Sequence, residues 1–292
     1  MYGPNVKNVI GTTIVINVSN FTMLIVYSVS SVFSKAEKEL LQLFHLVAWF
    51  SVNYFLARAS LSDPGIIPRQ KAMPFNTNMR YPFRKHMLLT GQGTHLVETP
   101  FCRTCQIYRP AGCSPQTNHR TVHCVECDAC IQEFDHHCPW ISNCVGKRNY
   151  TSFFCFLCAV FVDALSMLIF GFILVREAKQ NGGIASYGEV VVFLVVCPVV
   201  LVAILGVTVL KAYHWLFVLC KNQTTYEQIK QKYQRYIVKP NQLSLRTSRV
   251  QNVKRRLKLT KIHHSVEPVF QPQALVAQPE ARDRKIEFRN LY

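Results

Sequence analysis

The sequence predicts a multi-pass α-helical membrane protein, with four transmembrane helices and a cytosolic cysteine-rich domain between helices two and three. Three observations predict it. Of the 292 residues, 49% are apolar and many of these fall in four long runs. Positive charge collects outside those runs, and eight of the twelve cysteines lie in one stretch between runs two and three.

The runs are Val9 to Phe33, Leu40 to Ala59, Phe153 to Val175 and Val190 to Leu219. A hydrocarbon core of about 30 Å takes about 20 helical residues, because only a helix satisfies its own backbone polar groups in lipid. The first run contains Asn17, Ser19, Asn20 and Thr22, which would also suit a buried core helix. The second has no formal charge before Arg58, and the fourth has none between Val190 and Val209. A cleavable leader is not expected, since the first run exceeds a signal core and has only Lys7 as a basic flank. Asp163 in the third run is an ionisable group at membrane depth, and therefore a functional candidate.

Orientation follows from the charges. The segment between runs two and three carries Arg69, Lys71, Arg80, Arg84, Lys85, Arg103, Arg109, Arg120, Lys147 and Arg148, and the tail after Leu219 is also basic. The other loops offer only Lys35 and Lys38, then Arg176 and Lys179. The positive-inside bias puts the central segment and both termini in the cytosol. The net charge of +17 then faces an anionic leaflet. Nucleic-acid binding, which the run Val253 to Lys261 would suggest in isolation, is not expected of such a chain. The expected organisation is spans one and two in 1–60, a cytosolic segment in 61–150 with its cysteine-rich domain at about 100–150, spans three and four in 151–219, and a partly disordered basic tail in 220–292.

Cys102, Cys105, Cys113, Cys124, Cys127, Cys130, Cys138 and Cys144 make up the cysteine-rich stretch. Disulfides are disfavoured in a reducing compartment, so clustered cysteine and histidine there point to metal binding or catalysis. Cys102 and Cys105 form one C-x-x-C, and Cys124, Cys127 and Cys130 form two overlapping ones behind His123. Such knuckles place two thiolates on one tetrahedral ion. Few apolar residues separate Cys102 from Cys144, so zinc would have to stabilise this fold directly.

Two zinc ions need eight ligands, whereas the stretch holds eight cysteines with His119, His123, His136 and His137. Four candidates are left over. On an extended strand His136 and Cys138 share one face and His137 points to the other. A turn at Asp135 would then let its carboxylate support His136. A thiol, an imidazole that takes its proton and an orienting carboxylate make a nucleophilic set. Spacing alone leaves Cys138 either as this nucleophile or as another metal ligand.

The stretch HCVECDACIQEFDHHCPWISNCVGKRNYTSF resembles the cysteine-rich domain of the DHHC family of protein S-acyltransferases. Asp63-Pro64-Gly65 after run two and Thr224 to Glu227 after run four are similar to that family's D-P-G and T-T-x-E motifs. The resemblance runs from Val9 to about Lys230.

It implies that Cys138 takes an acyl group of palmitoyl type from acyl-CoA as a thioester and passes it to cysteine thiols of membrane-associated substrate proteins. His136 is then the base and Asp135 its orienting partner. One zinc falls to Cys102, Cys105, His123 and Cys130, the other to Cys124, Cys127, His137 and Cys144. Thr225 is expected to support the active-site loop or to lie in a helix cap, and Trp140 to stand at the mouth of the acyl cavity or to anchor at the interface. Arg103, Arg109, Lys147 and Arg148 are near enough in sequence to meet CoA phosphates. Golgi or endoplasmic reticulum membranes are a further implication, and an accessory subunit, which some family members need, is a candidate partner. The rival reading is a non-enzymatic membrane scaffold whose zinc module binds proteins.

The chain departs from the family between Cys105 and His123, where seventeen residues, 106–122, exceed the usual spacing and bring in Cys113 and His119. Its Pro, Gly, Ser and Asn content predicts a solvated loop.

Overall fold

A computed structural model of the chain describes residues 6–29, 34–70, 83–90, 93–109, 120–180, 197–235, 253–254 and 257. Residues 190–196 of the predicted fourth span, Cys113 and His119, and most of the tail lie outside them. Among the described residues, four helices are long and apolar enough to cross a membrane.

Helix α1 (Val6–Val29) and α2 (Lys35–Leu61) form the first pair. Helix α2 starts five residues before the apolar run, because Ser34 and Glu37 form a capping box over the polar turn in between. The Ser34 N–H donates to Glu37 Oε2 at 2.9 Å and the Glu37 N–H to Ser34 Oγ at 3.4 Å. Helix α3 (Tyr150–Gln180) and α4 (Cys197–Tyr213) form the second pair. The latter continues as a π-helical turn, His214–Leu219, and a short helix α5 (Thr225–Arg235) follows.

Polar side chains tie the first three helices together. Asn20 in α1 donates to Asp163 in α3 at 3.0 Å, and His45 in α2 lies 4.0 Å from the same carboxylate. One turn away Trp49 donates to Asn17 at 2.9 Å, and Asn17 to Asn53 at 3.1 Å. Polar residues in the first run thus bond α1 to its neighbours, as buried polar groups at membrane depth must.

Between α2 and α3 the described residues form short antiparallel strands in three sheets. β1 (Ile66–Ile67) pairs with β6 (Ala129–Ile131), and β6 with β5 (Val122–Cys124). β2 (Phe83–Thr90), β3 (Gly93–Cys102) and β4 (Ile107–Tyr108) make the second sheet, and β7 (His136–Cys138) with β8 (Asn143–Val145) the third.

The strands are seated on one end of the bundle by the orphan carbonyls of α2. Asn143 Nδ2 donates to the carbonyls of Ala59, Ser60 and Ser62 at 3.3, 3.0 and 2.9 Å, and Asn149 Nδ2 to Ala59 at 3.1 Å. In the D-P-G turn Asp63 Oδ1 accepts from the amides of Gly65 and Ile66, both at 2.8 Å, and Gly65 takes φ +110°. Only a residue without Cβ adopts that φ readily. This turn delivers β1 to β6.

Gly146 closes the same junction. A Cβ there would stand 2.5 Å from the Pro64 carbonyl and 2.7 Å from Ile131 Cγ2. Gly146→Ala is expected to cost about 1–3 kcal/mol by overpacking, read as a lowered melting temperature of the detergent-solubilised protein.

Candidate active site and metal centres

The β5–β6 hairpin carries chemistry on both faces. His123 pairs with Cys130 in register, while Cys124, the next residue, points the opposite way. His123 and Cys130 join Cys102 and Cys105 in one group; Cys124 joins Cys127, His137 and Cys144 in another. In each group the four ligand atoms lie within 4.8 Å of one another. Residues with positive φ, Gln106 at 55° and Asp128 at 46°, follow the two C-x-x-C turns and bend the chain so that both sulfurs face inward.

Both donor sets fit a cation. In the second group the Cys124 and Cys127 thiols push the Cys144 thiol far up, while hydrogen bonds from Cys127 and Cys144 push Cys124 far down. Hydrogen bonds that the ring donates to the Cys124 and Cys127 sulfurs raise His137 to about 10. Four such donors cannot all release their protons side by side unless a positive ion balances them, and each group could hold one metal ion. His137 presents Nδ1 to Cys127 at 3.4 Å and Cys144 at 3.7 Å. His123 turns Nδ1 to Cys105 at 3.4 Å and Nε2 to Asp128 at 3.7 Å, the outer carboxylate that orients a ligating imidazole.

The β7–β8 hairpin separates the second donor group from His136 and Cys138. His137 pairs with Cys144 and both belong to the second group. His136 and Cys138 leave the strand on the other face, and neither belongs to a metal group among the described residues. Cys138 is buried with Val52, Leu56, Ile141, Tyr150, Phe153 and Val218 at the bundle's end.

Asp135, only 1% exposed, anchors the face that carries His136 and Cys138. Its Oδ2 is 2.8 Å from His136 Nδ1 and accepts from the Thr225 hydroxyl at 2.9 Å; its Oδ1 accepts from the Thr225 N–H at 2.8 Å. The Tyr226 N–H donates to the Asp135 carbonyl at 3.2 Å. Thr224 and Glu227 close a capping box, with the Glu227 N–H on Thr224 Oγ1 at 3.1 Å and the Thr224 N–H on Glu227 Oε2 at 2.8 Å. The T-T-x-E stretch therefore caps α5 and presents its N-terminus to Asp135, where the helix dipole favours negative charge. For His136, burial opposes the charged ring, yet hydrogen bonds to Asp135 and Cys138 prevail and push its pKa up to about 9.

Trp140 stands 68% exposed in the turn after Cys138. Arg148 pairs with Asp63, and Arg109 bonds toward the Cys102 sulfur. The end of the long insertion is not the solvated loop predicted for it. Arg120, Thr121 and Val122 are buried, and Arg120 donates to Glu227 at 3.0 Å and Asn222 at 3.1 Å, locking α5 to the metal-binding region. A basic residue beside Pro, Gly and Ser reads as solvent-facing, and its acidic partner lies 107 positions away. His214, at the edge of this site, was equally invisible within an apolar run.

Residues 95–232 match the family model for the DHHC palmitoyltransferase. The chain is 33% identical over 196 residues to probable protein S-acyltransferase 2 of Arabidopsis thaliana, covering 61% of this chain and 45% of that protein. It is 35% identical over 203 residues to palmitoyltransferase ZDHHC18-A of Danio rerio, with 63% and 40% covered. To palmitoyltransferase ZDHHC14 of Homo sapiens it is 31% identical over 202 residues, with 63% and 38% covered. The chain spans less than half the length of each of these three relatives. With its four apolar helices it is an integral membrane protein. Over residues 95–232, the cysteine-rich domain and the helices that follow it, this chain is similar to the DHHC palmitoyltransferase family and to the relatives that share that domain.

Proposed function

We propose that this protein is a protein S-acyltransferase that carries a palmitoyl-type group from acyl-CoA, through a thioester on Cys138, to cysteine thiols of membrane-associated proteins. The observation that carries the reading is the division of the β7 strand: His137 joins a metal group, while His136, held at 2.8 Å by Asp135, shares the opposite face with Cys138.

In the first step the Cys138 proton passes to His136 Nε2 and the sulfur attacks the thioester carbonyl. The carbon–sulfur bond to CoA breaks, and the departing thiolate takes the proton back from His136. In the second step the substrate thiol gives its proton to His136 and attacks the Cys138 thioester, and Cys138 leaves as a thiolate that recovers the proton. Asp135 keeps the His136 proton on Nδ1 throughout, so that Nε2 faces the reacting sulfur.

The ions in the two clusters are Zn2+ on this reading, since Cys3His sets suit that metal, and they hold the hairpins in register. Burial of Cys138 among apolar side chains at the membrane end of the domain suits a donor whose chain gains about 0.8 kcal/mol per buried methylene. The clusters and both termini face the cytosol of a Golgi or endoplasmic reticulum membrane, where juxtamembrane cysteines present themselves at the same depth. The lipid surface is a partner and an accessory subunit a candidate one; nucleic acid is not. Arg103, Arg109, Lys147 and Arg148 remain the candidates for CoA phosphate.

The test is treatment of the purified full-length protein with labelled palmitoyl-CoA. A hydroxylamine-sensitive label is expected on the wild type and is lost in Cys138→Ser, with both metal ions retained. A scaffold would take no label, and loss of metal in Cys138→Ser would make that cysteine a ligand.

A further inference from the structure

On the reading that Cys138 and His136 react, the geometry points to His214 as a positioning residue that sets the plane of the His136 ring. The last turn of span four is not α-helical. The Cys220 N–H reaches back five residues to the Trp215 carbonyl at 2.9 Å, closing a π-helical turn over His214–Leu219. Such turns insert one extra residue and are frequent at functional sites, because they rotate a side chain out of the regular α-helical register.

Here the side chain at the start of the turn is His214, 1% exposed, and it faces the reactive strand. Its ring lies 6.0 Å from that of His136 at 45°, and 5.3 Å from Phe153 at 68°. Phe153 in turn meets His136 edge-on at 5.3 Å and 72°. The three rings touch pairwise. Asp135 holds His136 at one nitrogen, a bond about which the ring can still pivot; Phe153 and His214 block that pivot and direct Nε2 to Cys138. Tyr150 fixes His214 itself, with Oη 3.1 Å from Nδ1. A buried imidazole must be hydrogen-bonded, and an aliphatic residue would fill the space at no such cost. The polar pair therefore supplies orientation beyond packing.

The experiment follows acyl-enzyme formation by the purified full-length protein in detergent with palmitoyl-CoA, comparing wild type, His214→Ala, His214→Phe and Tyr150→Phe, with metal content measured for each. His214→Ala is expected to lower the single-turnover rate at saturating palmitoyl-CoA by about 10–100-fold, the usual cost of a misplaced catalytic group. KM should stay within about twofold, as expected when only a transition-state interaction is lost. His214→Phe, which restores a ring, should recover most of the rate, and Tyr150→Phe should lose about threefold, one hydrogen bond's worth. A wild-type rate in His214→Ala overturns the inference, as does a loss confined to KM, which would make His214 part of the donor-binding wall. If His214→Ala loses its metal or aggregates, Tyr150→Phe decides: a slower rate at unchanged KM supports the assignment, and a wild-type rate overturns it. Absence of label on the wild type would instead refute the S-acyltransferase reading.

Discussion

Asp135→Asn is expected to lower acyl-enzyme formation by roughly 10³–10⁴-fold while both metal ions stay bound, the scale of the corresponding change in a Ser-His-Asp triad. The reason is donor counting. The donors to the carboxylate include the His136 Nδ1–H, the Thr225 hydroxyl and the Thr225 N–H. An amide has one acceptor oxygen and an NH2 group that only donates. The backbone N–H of Thr225 cannot reverse its role, so the amide oxygen settles there and the NH2 faces His136. His136 must then offer a lone pair at Nδ1 and carry its proton on Nε2, where Cys138 needs a base. Thr225→Val removes only the hydroxyl and leaves the N–H bond, so it should cost about tenfold, near the value of one hydrogen bond to a charged group. Labelling rates with palmitoyl-CoA, alongside metal content, check both; equal rates for Asp135→Asn and wild type would remove Asp135 from the mechanism.

The parts of this site that were legible in the sequence are those governed by short-range geometry. Strand alternation separates His136 from His137 and His123 from Cys124, and C-x-x-C spacing pairs Cys102 with Cys105 and Cys124 with Cys127. Hydropathy located the four helices, but their ends follow caps: α2 begins at a capping box rather than at its first apolar residue. The illegible parts need contacts across the whole chain. Arg120 reaches Glu227 and Asn222, Asn143 reaches the last carbonyls of α2, and Asp163 reaches Asn20 in α1. No local pattern encodes such pairings. The π turn at His214 is hidden for another reason, since an extra residue per turn leaves composition and mean hydropathy unchanged.

His137→Ala should release one metal ion per chain and abolish detectable acyl-enzyme, whereas His123→Ala should release one ion and leave measurable labelling. The difference follows from which hairpin each ligand holds. His137 and Cys144 are register partners on β7 and β8, the hairpin that carries His136 and Cys138. Without their ion, the repulsion among Cys124, Cys127 and Cys144 has no counter-charge and the hairpin loses its anchor on the face opposite the reactive one. His123 and Cys130 lie on the other face of β5–β6, and without their ion Asp135, Thr225 and the Asn143 clamp on α2 still hold the β7–β8 hairpin in place. A structural Zn2+ contributes about 10–16 kcal/mol in small metal-folded domains, comparable to or more than the whole stability of a typical domain. The apolar clusters here are small: Ile107 and Ile67 beside one ligand group, Ala129, Ile131, Ile66 and Phe134 beside the other. Chelation of both ions should therefore open residues 120–145 to protease while the four helices keep their far-ultraviolet signal. Metal analysis, limited proteolysis and labelling on the same samples decide it: His137→Ala retaining two ions, or the two variants losing labelling equally, would show that the clusters do not divide their work in this way.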